Sequence, residues 1–472
     1  MQSEMNKTKA LVVGAGPAGL AAAWLLAKKG VNVTVVEKEK NVGGISRTLT
    51  VNGYRVDMGP HRFFTKFENV GKFWGEMLPQ DYFKEEKRLT RIFYSGKFFD
   101  YPLSINSLLR NLSLYKIFQI FNSYIATKTK FLIRRKKIIN FKDWISFNFG
   151  AMIYEIFFRS YSEKLWGIPC EKIDSEWASQ RIKGVNIKSI LLSFIFKSYK
   201  KGKVRSFVES FHYPVSGAGC MYEKIKEAIK SIGGNFIMGE KIERIMTDNN
   251  RIVAVGNTNF LFEVDYLFST MPLNELIYSM SPTSSIIQNA RNLKFRSLII
   301  AYIKIRKGNL FPDNWIYIHT PGTGMTRIQN FNNWGENMGG KDNETVLGLE
   351  YPCFKGDKIW NADDEQLFSI AKEDIEKIEI AKGQDIEFLG NARIAEAYPV
   401  YSGSYKEDVN RIREFLNSFD NLITFGRNGT FSYNNMDHSI LSGFLAVRKM
   451  TGEDCNPWNV NIDAEYHEEK AI

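Results

Sequence analysis

The hydrophobic pattern of the first forty residues is strand, helix, strand. Residues 9–13, KALVV, form a short continuous apolar run, as expected of a strand covered on both faces. GAGPAGLAAAWLLAKKG follows, a glycine-rich turn into an Ala- and Leu-rich helix that stops at Gly30. Residues 31–36, VNVTVV, read as the second strand, so the segment predicts a β-α-β unit in about thirty residues. Residues 104–133 carry a helical apolar face, and residues 142–165 continue it. A helix is expected over 221–232, before Gly233-Gly234. Residues 235–275 alternate as strands do, with a hairpin turn at Asn249-Asn250. Strand-like runs recur over 296–352, helices are expected over 364–381 and 405–418, and LITF at 422–425 reads as a short buried strand leading into Gly426.

Nucleotide-domain signals fall at the start, near 207–272 and near 420–450. The domains are therefore expected to be interleaved. Residues 1–95, 207–290 and 396–472 make three parts of one nucleotide-binding domain. They are separated by a mainly helical substrate or lid domain over 96–206 and an antiparallel-sheet substrate domain over 291–395.

Composition narrows the partners. The 472 residues suffice for two or three domains, and 44% apolar with 24% charged residues is ordinary globular usage. Aromatics reach 14%, a surplus that suits a pocket lined with rings. A net charge of +11 favours anionic partners: nucleic acid, a membrane surface or phosphorylated small molecules. The densest run, Arg134-Arg135-Lys136-Lys137, reads as a solvated helix face, and no nucleic-acid-binding signature accompanies it. The four cysteines, at 170, 220, 353 and 455, have neither metal-like spacing nor a disulfide pattern, so reduced thiols, no metal and a cytoplasmic location are expected. MQSEMNKTKA has no signal-peptide pattern. The most apolar stretch, Ile187 to Phe196, is shorter than the roughly 20 residues a span needs. Lys197, Lys200, Lys201, Lys203 and Arg205 follow it, so it reads as a helix packed on its own domain or one touching a membrane or partner. Self-association is left open.

Gly14-Ala15-Gly16-Pro17-Ala18-Gly19 matches GxGxxG between the first strand and its helix. The first glycine permits the tight turn, the second lets backbone approach a pyrophosphate, and the third lets helix and strand pack closely. The helix N-terminus then turns amides and the positive dipole end to the phosphates. Glu37 ends the second strand, where a carboxylate takes ribose hydroxyls.

The run Glu37-Lys38-Glu39-Lys40-Asn41-Val42-Gly43-Gly44-Ile45-Ser46-Arg47 adds a second glycine pair and a base. It resembles the E-x-x-x-x-x-G-G motif of the amine-oxidase-like FAD enzymes, which implies FAD, with Gly43, Gly44, Ser46 and Arg47 passing along the flavin. The same resemblance reappears at Tyr213-Pro214 with Gly217 and Gly219, and at Ser269-Thr270-Met271-Pro272. It implies an α/β fold: a Rossmann-like FAD-binding domain of the GR2 type, interleaved with a helical domain and a mixed-sheet substrate domain.

Three further segments narrow the likeness: Asp57-Met58-Gly59-Pro60-His61-Arg62-Phe63-Phe64; Phe157 to Gly167 with Trp177-Ala178-Ser179-Gln180-Arg181; and Gly426-Arg427-Asn428-Gly429-Thr430-Phe431-Ser432-Tyr433-Asn434-Asn435-Met436-Asp437-His438-Ser439. Together they resemble the UDP-galactopyranose mutase family of flavin-dependent NDP-sugar mutases. The likeness implies that the reduced form of FAD is the active one and that its N5 acts as nucleophile at the sugar's anomeric carbon. UDP is displaced and the ring recloses, interconverting pyranose and furanose, as in cell-surface polysaccharide biosynthesis. NAD(P)H could serve as external reductant, and a UDP-sugar or other NDP-sugar is the implied substrate.

Residue by residue, the likeness places Arg181 and Arg327 on the diphosphate, where forked guanidiniums suit phosphate and stabilise departing UDP. It places Tyr433, and Tyr398 or its competitor Tyr401, beside them. Arg427, Gly426, Asn435, Met436, Asp437 and Ser439 would face the flavin, as would Gly59, Pro60, His61 and Arg62, with His61 near N5. Pro17, Ala18 and Lys38 complete the nucleotide cradle. Arg91 would lie near the flavin or sugar, and Tyr101, Phe157, Tyr161 and Trp166 near the uridine. Gly59-Pro60-His61 replaces the GGH frequent in the family, a departure that bears on the sugar more than on the chemistry. The competing reading is an FAD-dependent oxidoreductase of the amine oxidase, protoporphyrinogen oxidase or carotenoid desaturase kind. It shares the Gly14 and Gly43-Gly44 signatures but predicts an apolar tunnel with no need of phosphate arginines.

Overall fold

Short apolar runs such as KALVV must be covered on both faces, and the computed structural model, which describes residues 7–175, 210–341 and 343–461, shows how. Lys9–Val13 is the central strand of a five-stranded parallel sheet. Asn32–Glu37 and Tyr266–Ser269 flank it, and Asn235–Met238 and Leu422–Thr424 form the edges. In chain order this is 3-2-1-4-5, the doubly wound arrangement, which places its ligand crevice at the carboxyl ends of the strands. Helix Pro17–Lys28 covers one face and packs against Met436–Met450 and Gly219–Ser231. Leu273–Met280 and Tyr405–Asn417 bury their apolar sides in the core on the other face.

The second sheet has seven strands, in the order Ile386–Pro399, Phe295–Ile305, Thr345–Cys353, Arg327–Asn330, Trp315–Ile318, Thr90–Tyr94 and Lys97–Asp100. Its pairings are antiparallel except for Trp315–Ile318 with Thr90–Tyr94, so the sheet is mixed. Along Phe295–Ile305, Leu298, Ile300 and Tyr302 join the core shared with the nucleotide sheet, whereas Ile299, Ala301 and Ile303 join the core under helix Asp364–Lys377. That period of two fastens the two sheets together.

Several sequence boundaries move. Thr90–Tyr94, placed by sequence in the first nucleotide segment (1–95), pairs in the seven-stranded sheet. Ile386–Pro399 likewise runs past residue 395. Alternation identifies a strand but not its partner, which is a long-range choice. The helical run expected over 104–133 is two helices, Ile105–Asn111 and Leu114–Ile133, because Ser113 caps the second one, its side chain accepting from the Lys116 amide. The run over 142–165 breaks at Gly150 (φ 89°), where a Cβ would lie 3.0 Å from Tyr124 Cα, and resumes through a π-helical turn over Tyr154–Arg159. Helix Asp364–Lys377 starts at a capping box between Asp363 and Gln366 and ends before 381. The hairpin at Asn249-Asn250 joins Arg244–Asp248 to Arg251–Gly256. Residues 176–209, among them Arg181 and the 187–205 segment, lie outside the described residues. Among the described residues no helix is long and apolar enough to cross a membrane, and no group of three His, Cys, Asp or Glu could hold a metal.

Candidate functional site

A cavity of about 520 Å³ opens at the carboxyl ends of the parallel strands and runs from the Gly14 turn to Tyr433. Gly14, Gly16, Pro17 and Ala18 line its first end. Gly19 does not line it: a Cβ there would sit 1.9 Å from the Gly14 carbonyl oxygen, so Gly19 is the glycine that lets helix and turn touch. Helix Pro17–Lys28 begins with no side-chain cap, which leaves first-turn amides for a ligand. Glu37 is buried, and its carboxylate accepts from the Ala15 amide (2.6 Å) and the Glu39 amide (3.0 Å). Those two bonds hold the carboxylate on the cavity lining beside the glycine turn. Lys38, also on the lining, lies 3.8 Å from Glu396.

The middle of the cavity is lined by Gly44, Ser46 and Arg47, and by Met58, Gly59, Pro60, His61 and Arg62. Gly43 stands just behind, its amide donating to the Ala15 carbonyl (2.8 Å), which ties this turn to the first. Arg47 Nε lies 3.1 Å from Met58 Sδ. His61 Nε2 lies 3.3 Å from the Met58 carbonyl oxygen, which accepts in the tautomer that carries its proton on Nε2. Burial pushes the His61 pKa down to about 4, and the charges of Arg427 and Arg327 push the same way, against the pull of the Met58 and Ile45 backbone. The ring is therefore neutral at pH 7. Opposite, Met436, Asp437 and Ser439 line the cavity at the N-terminus of helix Met436–Met450, capped by Asn435 through a box with His438.

The far end is built from side chains. Arg327, first residue of its strand, donates through Nη2 to Glu350 (2.6 Å), while Gln329 Nε2 occupies the other Glu350 oxygen (2.7 Å). Arg327 Nε is buried and has no hydrogen-bond partner among the described residues. Tyr398 and Tyr433 stack in parallel, with ring centroids 5.5 Å apart and an interplanar angle of 9°. Arg427 braces them: its guanidinium lies 4.3 Å from the Tyr433 ring centre and bonds the Ala397 and Asn434 carbonyls. Burial pushes the Tyr398 phenol well above its usual range, so it stays a donor. Tyr401 is not on the lining; its hydroxyl accepts from the Tyr433 amide (2.7 Å), so the pair Tyr398 or Tyr401 resolves with Tyr398 facing the cavity and Tyr401 holding the loop. Gly426 (φ 78°) lies behind the same loop.

Five other expected site residues lie off the cavity lining. Arg91 spends its fork on the fully buried Asp313 (2.9 and 2.5 Å), away from the lining. Phe157 is core, enclosed by Tyr94 and Phe99. Trp166 is buried behind Tyr398, centroids 6.3 Å apart. Tyr161 stacks on His319 (4.5 Å), and both Tyr161 and Tyr101 contact Tyr317, whose ring lies 6.0 Å from the Arg327 guanidinium. They adjoin the far end without lining it.

Two functional neighbours escaped the sequence reading. Glu350 is the sole charge in the strand TVLGLEYPC, and a lone acid in a buried strand signals a hidden cation. Lys164 donates to the Ile318 (2.9 Å) and Met325 (3.1 Å) carbonyls, from the helical unit into the loop that ends at Arg327. Asp374 accepts from the Gly324 and Met325 amides on that loop. Burial pushes the Lys164 ammonium down to about 8. An isolated lysine on a helix carries no sequence signal for this.

A family model for NAD(P)-binding Rossmann-like domains matches residues 12–77. A 1-hydroxycarotenoid 3,4-desaturase of Flavobacterium sp. (strain P99-3) is 22% identical over 321 residues, 63% of this chain and 64% of that one. The chain thus spans less than two thirds of the length of that curated relative. Among solved structures, reduced UDP-galactopyranose mutase aligns with a TM-score of 0.81 at 21% identity, covering 97% of this chain and 98% of the other. A putrescine oxidase variant aligns at 0.62 and 14% identity over 94% and 98%. The N-terminal unit is therefore a Rossmann-like domain of the kind found in the FAD-dependent amine oxidase and desaturase superfamily, in a fold shared by oxidoreductases and a mutase. FAD is its cofactor, and the cradle fits it: Glu37 for the ribose, an uncapped helix start for the pyrophosphate, and a second glycine turn and helix N-terminus further along the cavity.

Proposed function

We propose that this chain is a flavin-dependent NDP-sugar mutase that interconverts pyranose and furanose rings, with UDP-galactopyranose and UDP-galactofuranose as the substrate pair. The observation that carries the reading is the buried, unpartnered Nε of Arg327 at the end of the cofactor cavity. Leaving such a donor unmade costs about 1–3 kcal/mol, and an anion repays it. An apolar substrate gives it nothing. The TM-score of 0.81 over nearly the whole of both chains supports the same reading.

Bound and reduced, FAD supplies an electron-rich ring nitrogen to the anomeric carbon. The chain's own residues do the rest. Arg327, held by Glu350, meets the diphosphate and stabilises its charge as it leaves. The Tyr398 and Tyr433 hydroxyls donate to the same group, with Arg427 locking their stack. His61 stays neutral and adds no charge. The helix start at Met436 favours negative charge in the middle of the cavity. NAD(P)H is the external reductant of this proposal and the cytoplasm its compartment.

FAD-loaded protein, reduced with dithionite, should convert UDP-galactopyranose to a furanose separable by nucleotide-sugar chromatography, and oxidised protein should not. Failure of every NDP-sugar tested to change ring size would sink the proposal. A second reading, an FAD-dependent oxidoreductase, is favoured by the 321-residue likeness to a carotenoid desaturase. Under it, Arg327→Ala leaves turnover nearly unchanged.

A further inference from the structure

Helix Leu114–Ile133 leaves apolar side chains in water. Leu114, Tyr115, Phe118, Ile125, Leu132 and Ile133 are all exposed, from 47% at Ile125 to 80% at Leu114. At about 100° per residue all six fall within an arc of about 120°. The opposite face is where this helix docks: Phe131 is buried there, Lys128 Nζ donates to the Phe147 carbonyl, and Ser123 and Thr127 accept from the Met152 and Ala151 amides. The stripe is therefore a second face, which no other described residue covers. Ile139, 68% exposed, extends the apolar surface beyond the helix end.

The charge around this stripe is one-sided. Residues 101–142 contain nine lysines and arginines and no acid, against a net charge of +11 for all 472 residues. Arg110, Lys136 and Lys142 pair with Asp100, Asp143 and Glu171, which lie outside that segment or at its edge. Lys116, Lys130, Arg134, Arg135 and Lys137 make no ion pair among the described residues. An apolar stripe that runs into a cluster of unneutralised bases at its C-terminal end, Lys130, Arg134, Arg135 and Lys137, is the make-up of a helix lying in the plane of a bilayer interface, apolar side among the acyl chains and bases at the headgroups.

We propose that helix Leu114–Ile133 and the basic turn after it dock this protein on an anionic lipid surface. Charge excludes the obvious rivals. A second copy on this face would set the unpaired bases of one chain against those of the other. A nucleic acid would meet Leu, Ile and Phe side chains at the centre of the contact, where it offers only phosphates. The inference rests on this helix alone and is independent of which reaction the cavity performs.

The test is co-sedimentation of the full FAD-loaded chain with vesicles of phosphatidylcholine, alone or mixed with phosphatidylglycerol. Wild type should pellet with the mixed vesicles only, and less as salt rises, since the Debye length shrinks from about 10 Å at 0.1 M to 3 Å at 1 M. Arg134→Glu with Arg135→Glu should weaken partition by about tenfold or more. Phe118→Ser with Ile133→Ser should weaken it comparably, including at low salt. All these side chains are exposed, and unchanged flavin absorbance and circular dichroism of each variant establish that it is folded. Wild type left in the supernatant with mixed vesicles overturns the proposal. So does a Phe118→Ser/Ile133→Ser variant that pellets as wild type does. A wild-type dimer that this variant turns into monomer, with no vesicle binding, overturns it in favour of a second copy.

Discussion

At the Gly14 end the cavity is lined by a glycine turn, the uncapped amides of a helix start and one carboxylate, all within the first 37 residues. At the Arg327 end the lining consists of side chains from positions 327, 398, 427 and 433, brought together by the seven-stranded sheet and the loop before the helix Met436–Met450. The first end depends on the absence of side chains; the second depends on charge held in place by a buried counter-charge. The two should therefore fail in different ways, and the sharpest experiments separate them.

The largest effect is expected at Gly19. A valine there would drive a side chain into the Gly14 carbonyl, 1.9 Å from an ideal Cβ, and force the helix off the turn. Gly19→Val should purify without flavin, or not fold at all. Stoichiometric FAD in that variant would remove the close approach from the account.

Next is Arg327. Arg327→Ala should keep its FAD and lose about 10²–10³ in kcat/KM for the NDP-sugar, as loss of a charge-stabilising donor does. It also leaves Glu350 with Gln329 alone, so some thermal stability goes too. Loss of flavin together with activity would mean that the two ends are not separable.

A smaller effect is the pH response of His61. Its folded pKa of about 4 lies below the ordinary 6.5, so as pH falls the unfolded chain takes up the proton first. Stability is unaffected by this group above pH 6.5, falls between 6.5 and 4, and is level below, by up to about 3 kcal/mol. Asp57, buried and raised to about 6, acts in the opposite sense: its folded form holds a proton the unfolded chain has shed, so its stability is lost as pH rises from about 4 to 6. Urea midpoints at pH 7 and 4.5 for wild type and His61→Phe isolate His61, because Asp57 is common to both. Equal drops in the two proteins would show that His61 is not held neutral.

The smallest effect is Tyr401→Phe. It removes the acceptor of the Tyr433 amide, worth about 1 kcal/mol. A few-fold rise in KM with normal flavin content is expected. A change larger than that of Tyr398→Phe would reverse the assignment of the two tyrosines.

The cofactor end was legible because GxGxxG, the strand before it and Glu37 after it are joined by short-range geometry. The far end was legible only through likeness of motifs, and there it was uneven. Arg91 and Arg327 are the same residue type at the start of a strand. One meets Asp313 with both arms of its fork, and the other shares Glu350 with Gln329 and keeps a free Nε. Nothing within a few residues of either distinguishes them. Phe157 likewise sits in a motif-bearing segment yet packs wholly inside. Arg181, the other arginine of that reading, lies outside the described residues.

The β-α-β unit, the glycines of its turn, the carboxylate that ends its second strand and the three separated segments of the parallel sheet could be read along the chain, because each follows from local periodicity or fixed spacing. Long-range packing was needed to place Thr90–Tyr94 in the seven-stranded sheet, to turn Tyr398 to the cavity with Tyr401 behind it, and to set Glu350 and Lys164 against the Arg327 strand and its loop. Those outcomes depend on which distant groups share a buried space, where an unmatched charge or donor is costly. That cost is set by neighbours as far as 160 residues away in the chain, as Lys164 and Met325 are, and is invisible in any window of the sequence.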